Sequence, residues 1–128
     1  MHNTKIPKVH NNNKIYYTEV IKLQKEFAKK VTTKDNFDSN VKSICGVDVS
    51  YRKKIAYCSA VIIDKQNFEI VETASSESET KYPYIPGLFV LRESGPILKT
   101  LKLITKPFQL LLVDGHGVLH PRRCGLAC

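Results

Sequence analysis

The chain has 128 residues, of which 42% are hydrophobic and 25% are charged, and its formal net charge is +8 at pH 7. This length suits one domain with a sizeable core. A charge this large favours a polyanionic partner, nucleic acid before a membrane surface, although a basic solvated face without function would look the same. No apolar run approaches the ~18 residues of a membrane span, and the N-terminus lacks a signal-peptide core. We therefore expect a cytoplasmic protein without a membrane partner.

The first segments are a polar arm and an amphipathic helix. Residues 1–15 are polar and basic and predict a disordered arm, followed by a domain at 16–128. A helix is predicted from a cap at Thr18 to about Val31, with apolar residues on one side and lysines on the other. This pattern is typical of a helix that packs on a domain and leaves its basic side in solvent.

Three strands are predicted next, as a meander of antiparallel neighbours, because the links between them are short. They span Val41–Tyr51, Ile55–Ile63 and Phe68 to about Ala74, and the polar, acidic stretch that follows is predicted to end the third. Asp48 interrupts the apolar first strand on the face of Gly46, which leaves room beside the carboxylate. A carboxylate inside a central strand is costly unless a cation compensates it, so Asp48 is a candidate site residue.

A proline-flanked loop follows the meander. Pro83 and Pro86 enclose Tyr84 and Ile85 and predict a stiff loop that holds both side chains outward. An aromatic side chain presented in this way suits stacking on, or wedging between, nucleobases. A proline–aromatic turn that packs on the domain explains the motif about equally well.

The last elements are a helical segment and a buried strand. Leu88–Ile104 has a helical apolar pattern that Gly95–Pro96 is predicted to break, and it carries Glu93, a residue type that most often faces solvent on helices. Gln109–Val113 predicts a strand buried on both faces, which ends on Asp114 and passes into a glycine-rich, basic loop. Open α/β sheets place their chemistry at such strand ends, whereas many aspartates there only cap the loop.

The connections between these elements predict an α/β architecture. A helical crossover joins parallel neighbours, so we expect a mixed sheet in the order 3-2-1-4, with the fourth strand parallel to the first. Asp48 and Asp114 would then face one crevice, and Glu93 on the crossover can reach it. Three carboxylates without matching cations are best neutralised by a divalent ion, Mg²⁺ or Mn²⁺. A basic protein with such a crevice favours metal-dependent cleavage of a phosphodiester.

A different metal site is suggested by four side chains of zinc-ligand types that recur every four residues: His116, His120, Cys124 and Cys128. On a continuous helix they would share one face. Gly115, Gly117 and Pro121 argue against that helix. A small zinc-stabilised interaction module is therefore the weaker alternative.

Three motifs together resemble the endonuclease V family: Gly46-Val-Asp-Val-Ser-Tyr51, Tyr82-Pro-Tyr-Ile-Pro-Gly-Leu88 with Arg92-Glu93, and Val113-Asp-Gly-His-Gly-Val-Leu-His-Pro-Arg122. They occur in the family's order and at close to its spacing, over about Thr18 to Cys128. The resemblance implies an RNase H-like fold with flanking helices and a divalent-metal-dependent nuclease of DNA repair. Such an enzyme cleaves the second phosphodiester bond on the 3′ side of deoxyinosine, and some members prefer inosine in RNA. The partner implied is DNA with deaminated bases, bound by a monomer.

Site residues follow from this resemblance by position. The acidic metal-binding residues would be Asp48, Glu93 and Asp114. The wedge that separates the strands would be Pro83, Tyr84, Ile85 and Pro86. The loop beside the base pocket would contain Gly115, Gly117 and His120, with Leu88 and Phe89 on the apolar wall and a nucleic-acid contact at Arg122. His116 stands where many members have Gln or Asn.

Family members continue past the last motif through another strand and several helices, whereas this chain has roughly half of the usual length. We therefore expect a C-terminally shortened form whose sheet lacks a fifth strand and exposes an edge. Weak or absent cleavage is expected of that form. The alternative from another class is a nucleic-acid-binding fragment that has lost the chemistry.

Overall fold

A computed structural model describes residues 13–128 of the chain. The elements in chain order are helix α1 (Asn13–Ala28), strands β1 (Ser43–Arg52), β2 (Ile55–Asp64) and β3 (Ile70–Glu79), helix α2 (Phe89–Leu101) and strand β4 (Leu110–Val113). A short 3₁₀ turn, Gly117–Leu119, follows β4. Of the helices in this part of the chain, none has the length and apolar character needed to cross a bilayer.

The strands form one mixed sheet in the order β3-β2-β1-β4. The first three are antiparallel neighbours, and β4 lies parallel to β1. The predicted order 3-2-1-4 is therefore confirmed. Val113 pairs with Val47, so Asp114, directly after β4, and Asp48, in the middle of β1, each come one residue after this pair. This register brings residues far apart in the sequence next to each other.

Helix α2 covers one face of the sheet. The side chains beneath it alternate along β1 and β2, and Cys45, Cys58, Ala60 and Ile62 are at most 1% exposed. Ile97 of α2 completes this core. Because side chains alternate along a strand, the same period places Gly46 and Asp48 on the opposite face.

That opposite face is open in residues 13–128. A groove of about 510 Å³ runs over Gly46, Val61 and Leu112, and Leu112 is 55% exposed. A Cβ added at Gly46 would meet no atom within 4 Å, so nothing in the described chain requires the glycine there. Strand β4 forms an edge of the four-stranded sheet, as expected for a sheet without a fifth strand.

The predicted start of the first helix at Thr18 is wrong. Helix α1 begins at Asn13, so Thr18 lies inside it. Tyr17 packs against a small cluster around Val20 and Leu88, and this tertiary contact stabilises the turn ahead of Thr18. Most of the predicted disordered arm, residues 1–12, lies outside the described residues, and the domain boundary stays a prediction.

The predicted end of the third strand is also wrong. The polar stretch after Ala74 continues β3 as far as Glu79, which pairs with Ile55 of β2. Cross-strand contacts between hydroxyls support this part of the strand, and Ser75 Oγ lies 2.9 Å from Ser59 Oγ. Polar side chains are compatible with a strand whose hydrogen bonds and partner are supplied by the sheet.

Helix α2 does not break at Gly95–Pro96. It runs from Phe89 to Leu101 with Pro96 inside it. Proline has no N–H to donate to the carbonyl oxygen of Arg92, one turn earlier. The Tyr51 hydroxyl, at the end of β1, approaches this oxygen at 3.4 Å and replaces the lost donor.

Candidate functional site

Three carboxylates interact electrostatically where β4 ends beside the middle of β1: Asp48 on β1, Asp114 after β4 and Glu93 on α2. Asp48 and Asp114 are exposed, whereas Glu93 is only 7% exposed. Burial raises the pKa of Glu93 to about 6, and the negative charges of Asp48 and, more weakly, Asp114 act in the same direction. The three groups therefore share one electrostatic environment.

The structure reverses the expected burial of two of these residues. Asp48 does not carry a desolvation cost, because its side chain is exposed and its Oδ1 accepts the Val49 N–H at 2.9 Å. Glu93 does not face solvent as most helix carboxylates do. It is turned toward the sheet, beneath α2, and it is the carboxylate whose ionisation is opposed by its surroundings.

The carboxylate oxygens of these three residues are the ligand atoms that a hard divalent cation prefers. A cation would also relieve the mutual repulsion that raises the pKa of Glu93. In residues 13–128, no three His, Cys, Asp or Glu side chains are gathered closely enough to hold an ion. Metal binding would therefore require the carboxylates to move closer together.

Two neighbours of Glu93, to which the sequence analysis assigned no role, position this carboxylate. The Tyr51 hydroxyl donates to the carbonyl oxygen of Arg92 and lies near enough to Glu93 for each group to shift the other's pKa. The guanidinium carbon of Arg92 lies 4.1 Å from the centroid of the Tyr51 ring. Burial, followed by the charge of Glu93, raises the pKa of Tyr51 to about 12. The phenol therefore keeps its proton and can donate it. The only sequence signal for these roles was the position of Tyr51 and Arg92 within the quoted motifs.

A cleft of about 610 Å³ opens beside one of the carboxylates. It lies between loop 82–88 and loop 114–128, and Asp114 is part of its lining. The other lining side chains include Tyr84, Phe89, His116, Leu119 and His120. The cleft therefore joins the predicted wedge and the predicted base-pocket loop to one of the candidate metal ligands.

The wedge loop holds its two central side chains differently. Tyr84 is 61% exposed, and its ring packs edge-on against Phe89 with 5.6 Å between centroids. Pro83 and Pro86 are exposed as well. Ile85 was expected to point outward, but it packs against the Val20–Leu88 cluster.

Leu88 occupies the same cluster and is 5% exposed, so Phe89 is the member of this pair that lines the cleft. The physical reason is that the chain enters α2 here. Successive residues then point in different directions around the helix axis. A wall built from both Leu88 and Phe89 would require them to face the same way.

Hydrogen bonds to the carbonyl oxygen of Gly87 connect the two loops across the cleft. His120 Nδ1 accepts the Arg122 backbone N–H at 3.0 Å, so Nε2 carries the ring proton and donates to Gly87 O at 2.9 Å. Arg122 Nη2 donates to the same oxygen at 2.6 Å. His120 and Arg122 were predicted to contact nucleic acid. In this structure these donors are used inside the protein.

We call the hydrogen bonds of His120 and Arg122 to Gly87 O the clamp, and further hydrogen bonds connect it to helix α1. Arg122 Nε donates to Gln24 Oε1 at 2.6 Å, and Gln24 Nε2 donates to the carbonyl oxygen of Cys124 at 2.6 Å. Sequence analysis missed Gln24, because the helix pattern indicated only a packed helix. A single polar residue among the lysines of α1 gave no local signal.

The glycines of loop 114–128 allow it to pack on its own C-terminal turn. A Cβ at Gly115 would lie 3.1 Å from Leu126 Cβ and 3.2 Å from Ala127 N. Gly117 has φ +53°, a conformation that side chains rarely adopt. A Cβ at Gly125, which the sequence analysis did not single out, would come within 2.9 Å of Gly117 N. The packing of this loop on itself therefore requires glycine at these positions even without a bound ligand.

The zinc alternative is wrong for the structure described. The four predicted ligands do not lie on a helix, because only a three-residue 3₁₀ turn forms in this region. Both ring nitrogens of His120 already have partners, and the His116 and His120 ring centroids are 6.5 Å apart. The four cysteines, all within the described residues, are free.

Comparison with known proteins places these features in one family. A family model described as Endonuclease V matches residues 25–128. The endonuclease V of Dictyoglomus turgidum is 42% identical over 113 residues, which cover 87% of this chain and 48% of that protein. The endonuclease V of Methanopyrus kandleri is 39% identical over 109 residues, which cover 85% and 46%. The chain thus spans about half the length of the curated relatives it matches.

A solved structure shows the same relationship in three dimensions. The endonuclease V of Ciona intestinalis, in complex with a 24mer DNA containing an inosine followed by a ribo-adenosine, superposes with a TM-score of 0.80 and 31% sequence identity. The match covers 86% of this chain and 50% of that one. The likeness therefore extends over most of the fold of this chain.

Proposed function

The chain belongs to the endonuclease V family, and we propose that it recognises inosine-containing nucleic acid and takes part in its metal-dependent cleavage. The bond proposed is the second phosphodiester on the 3′ side of deoxyinosine, or of inosine in RNA. The observation that carries this proposal is the electrostatic link of Glu93, buried and with a pKa of about 6, to Asp48 and to Asp114, which lines a cleft of about 610 Å³.

The proposed chemistry requires the three carboxylates to act together. Asp48, Glu93 and Asp114 would hold Mg²⁺ or Mn²⁺, which when bound polarises a phosphoryl oxygen and activates water. Glu93 must be ionised to act as a ligand. Ion binding and loss of its proton are therefore linked. The neighbouring Tyr51 hydroxyl lowers the pKa of Glu93 against the larger effect of burial and so favours the ionised form that binds an ion.

The cleft supplies the binding part of the proposal. Its volume, about 610 Å³, lies within the range of small-molecule sites and accommodates a nucleobase taken out of a stack. Tyr84 stands exposed at this cleft and can fill the space that the base leaves. The net charge of +8 supports binding to the phosphodiester backbone in any sequence.

A second candidate is an inosine-selective binding module without cleavage. It is favoured by the arrangement of the carboxylates, since no three potential ligands are gathered for an ion in residues 13–128. In this alternative the cleft and Tyr84 still bind nucleic acid, whereas the three carboxylates do not catalyse cleavage.

Cleavage mapping distinguishes the two candidates. End-labelled single strands and duplexes of DNA and RNA, each with one inosine or with guanosine at that position, are incubated with Mg²⁺ or Mn²⁺ and sized at nucleotide resolution. Inosine-dependent cuts at the second 3′ bond, lost in Asp114→Asn, support the nuclease. Inosine-selective binding without cuts supports the binding module. Equal binding to the inosine and guanosine strands, without cuts, contradicts both.

A further inference from the structure

Gln24 is a buried polar side chain on helix α1 that the proposed reaction does not use. It is 5% exposed, and both ends of its amide have partners. The oxygen accepts from Arg122 Nε at 2.6 Å, and the nitrogen donates to Cys124 O at 2.6 Å. Arg122 can only donate and a carbonyl can only accept, so the amide has one orientation that satisfies both. The residue is therefore held rigidly although it lies far from both partners in the sequence.

Through Arg122, Gln24 is connected to both sides of the cleft. The guanidinium is planar, so fixing Nε at Gln24 also fixes the direction of Nη2. Nη2 donates to Gly87 O at 2.6 Å, next to the His120 donor at 2.9 Å. Gly87 has φ +79°, and a Cβ there would lie 3.1 Å from Arg122 Nη2. Only glycine allows this approach without strain.

We propose that Gln24 is a positioning residue for the cleft and determines its selectivity for the base, by orienting the Arg122 guanidinium that ties the Tyr84 loop to the loop after Asp114. The proposal rests on the proposed function and deepens it. Gln24 reaches the cleft wall, but its two polar atoms are already bonded within the protein. Its effect on a base is therefore indirect, through the separation of the two loops.

The position of Gln24 on a helix makes it suitable for this role. Sites supported from regular elements hold their geometry better than sites supported by loops alone. Val20, one turn earlier on α1, packs with Leu88 and keeps the helix against the start of α2. Because α1 is held in place, the hydrogen bond from Gln24 keeps the Arg122 guanidinium in one position. Without its oxygen, the half-buried Nε of Arg122 would lose its partner, and the guanidinium would turn away from Gly87.

Three variants separate positioning from simple stability. Gln24→Leu removes both hydrogen bonds at similar volume. Gln24→Glu keeps the acceptor for Arg122 and replaces the donor to Cys124 O with an oxygen that repels it. Val20→Ala is the matched control, because it weakens the packing of the same helix without touching the clamp. Thermal unfolding of each variant establishes how much stability it loses.

The first measurement is base selectivity in binding. Fluorescently labelled single strands with one inosine, or with guanosine at the same place, are titrated in Ca²⁺, and the ratio of the two dissociation constants is compared. Gln24→Leu should lower this ratio about tenfold, whereas Gln24→Glu should stay within about threefold of the unmodified chain. Val20→Ala should keep the ratio even if it unfolds at a lower temperature. A Gln24→Glu ratio as low as that of Gln24→Leu, or a Val20→Ala ratio reduced equally, would overturn the proposal.

The second measurement needs no ligand. Amide hydrogen exchange in segments 84–90 and 115–125 reports the link between the two loops. Gln24→Leu should accelerate exchange in both segments, and Val20→Ala only in the first. Unchanged exchange at 115–125 in Gln24→Leu refutes the positioning role. If the unmodified chain does not discriminate inosine from guanosine, the proposed function fails, and the exchange result still decides whether Gln24 holds the loops together.

Discussion

The hydroxyl oxygen of Tyr51 lies 3.4 Å from the carbonyl oxygen of Arg92, the acceptor that Pro96 leaves without an intrahelical donor. One side chain at the end of β1 thus compensates for a proline inside α2. The same hydroxyl lowers the pKa of Glu93, and the Arg92 guanidinium lies over the Tyr51 ring. The position of the buried carboxylate therefore depends on a strand residue that faces the helix.

Tyr51→Phe should destabilise the protein by about 1 kcal/mol, because it removes the hydroxyl and keeps the ring under Arg92. Tyr57→Phe, on the neighbouring strand and 37% exposed, is the control and should change stability little. Urea unfolding at constant pH measures both variants. Equal stability of Tyr51→Phe and the unmodified chain would mean that the hydroxyl does not support α2.

The pKa of Glu93 predicts how stability depends on pH. It is raised from 4.5 to about 6 in the folded chain, so the folded state binds this proton more tightly than the unfolded state. The contribution of this proton to the free energy of unfolding is therefore fully present below pH 4.5 and is lost as the pH rises through 6. The loss is at most about 2 kcal/mol.

Glu93→Gln should abolish the fall in the free energy of unfolding between pH 4.5 and pH 6. Above pH 6 the variant should be more stable than the unmodified chain. The exposed residue Glu77→Gln serves as the control. Unfolding titrations between pH 4 and pH 8 provide the measurement. A Glu93→Gln curve that falls over the same pH window as the unmodified curve would contradict the assignment to Glu93.

Asp48→Asn and Asp114→Asn should each lower any inosine-dependent cleavage by at least about a hundredfold, because each removes a proposed ligand charge at nearly constant volume. Binding of inosine DNA should persist. Calorimetry with Mn²⁺ gives a readout apart from cleavage and should show weaker ion binding in both variants. Asp38→Asn, on the exposed connector before β1, is the control. Full cleavage by Asp114→Asn would refute the metal-crevice mechanism.

Tyr84→Ala should weaken binding to inosine duplexes about tenfold more than binding to inosine single strands. The reason is that only a duplex must be opened, and opening costs a few kcal/mol per step. Phe68→Ala is the control, since Phe68 is 71% exposed on the β2–β3 turn at the far end of the sheet. Equal losses on both substrates would show that Tyr84 serves packing with Phe89.

The β1–β2 turn predicts where part of the salt dependence arises. Arg52, Lys53 and Lys54 are exposed there, roughly 13 Å beyond Asp48 along the strand. If Lys53 and Lys54 contact phosphates, their joint change to glutamine should reduce the slope of log affinity against log salt by about 2, for every sequence alike. Lys65→Gln, at the opposite end of the sheet, should leave the slope unchanged. An unaltered slope in the double variant would exclude this contact.

The strand order was predictable because it depends on connection lengths along the chain. Short links between the first three strands require antiparallel neighbours, and the helix before β4 requires a parallel one. The three motifs indicated the family for a similar reason, since each lies within a short stretch of sequence. These properties can be determined from local patterns alone.

The tertiary structure decided which side chains are buried and which are connected. Asp48 is exposed and Glu93 is buried because α2 docks on one face of the sheet, and no local pattern specifies that face. Gln24 forms hydrogen bonds with residues 98 and 100 positions away, which the periodicity of α1 does not encode. Such contacts exist only after the chain has folded, since their energy depends on burial and on partners that distant segments supply.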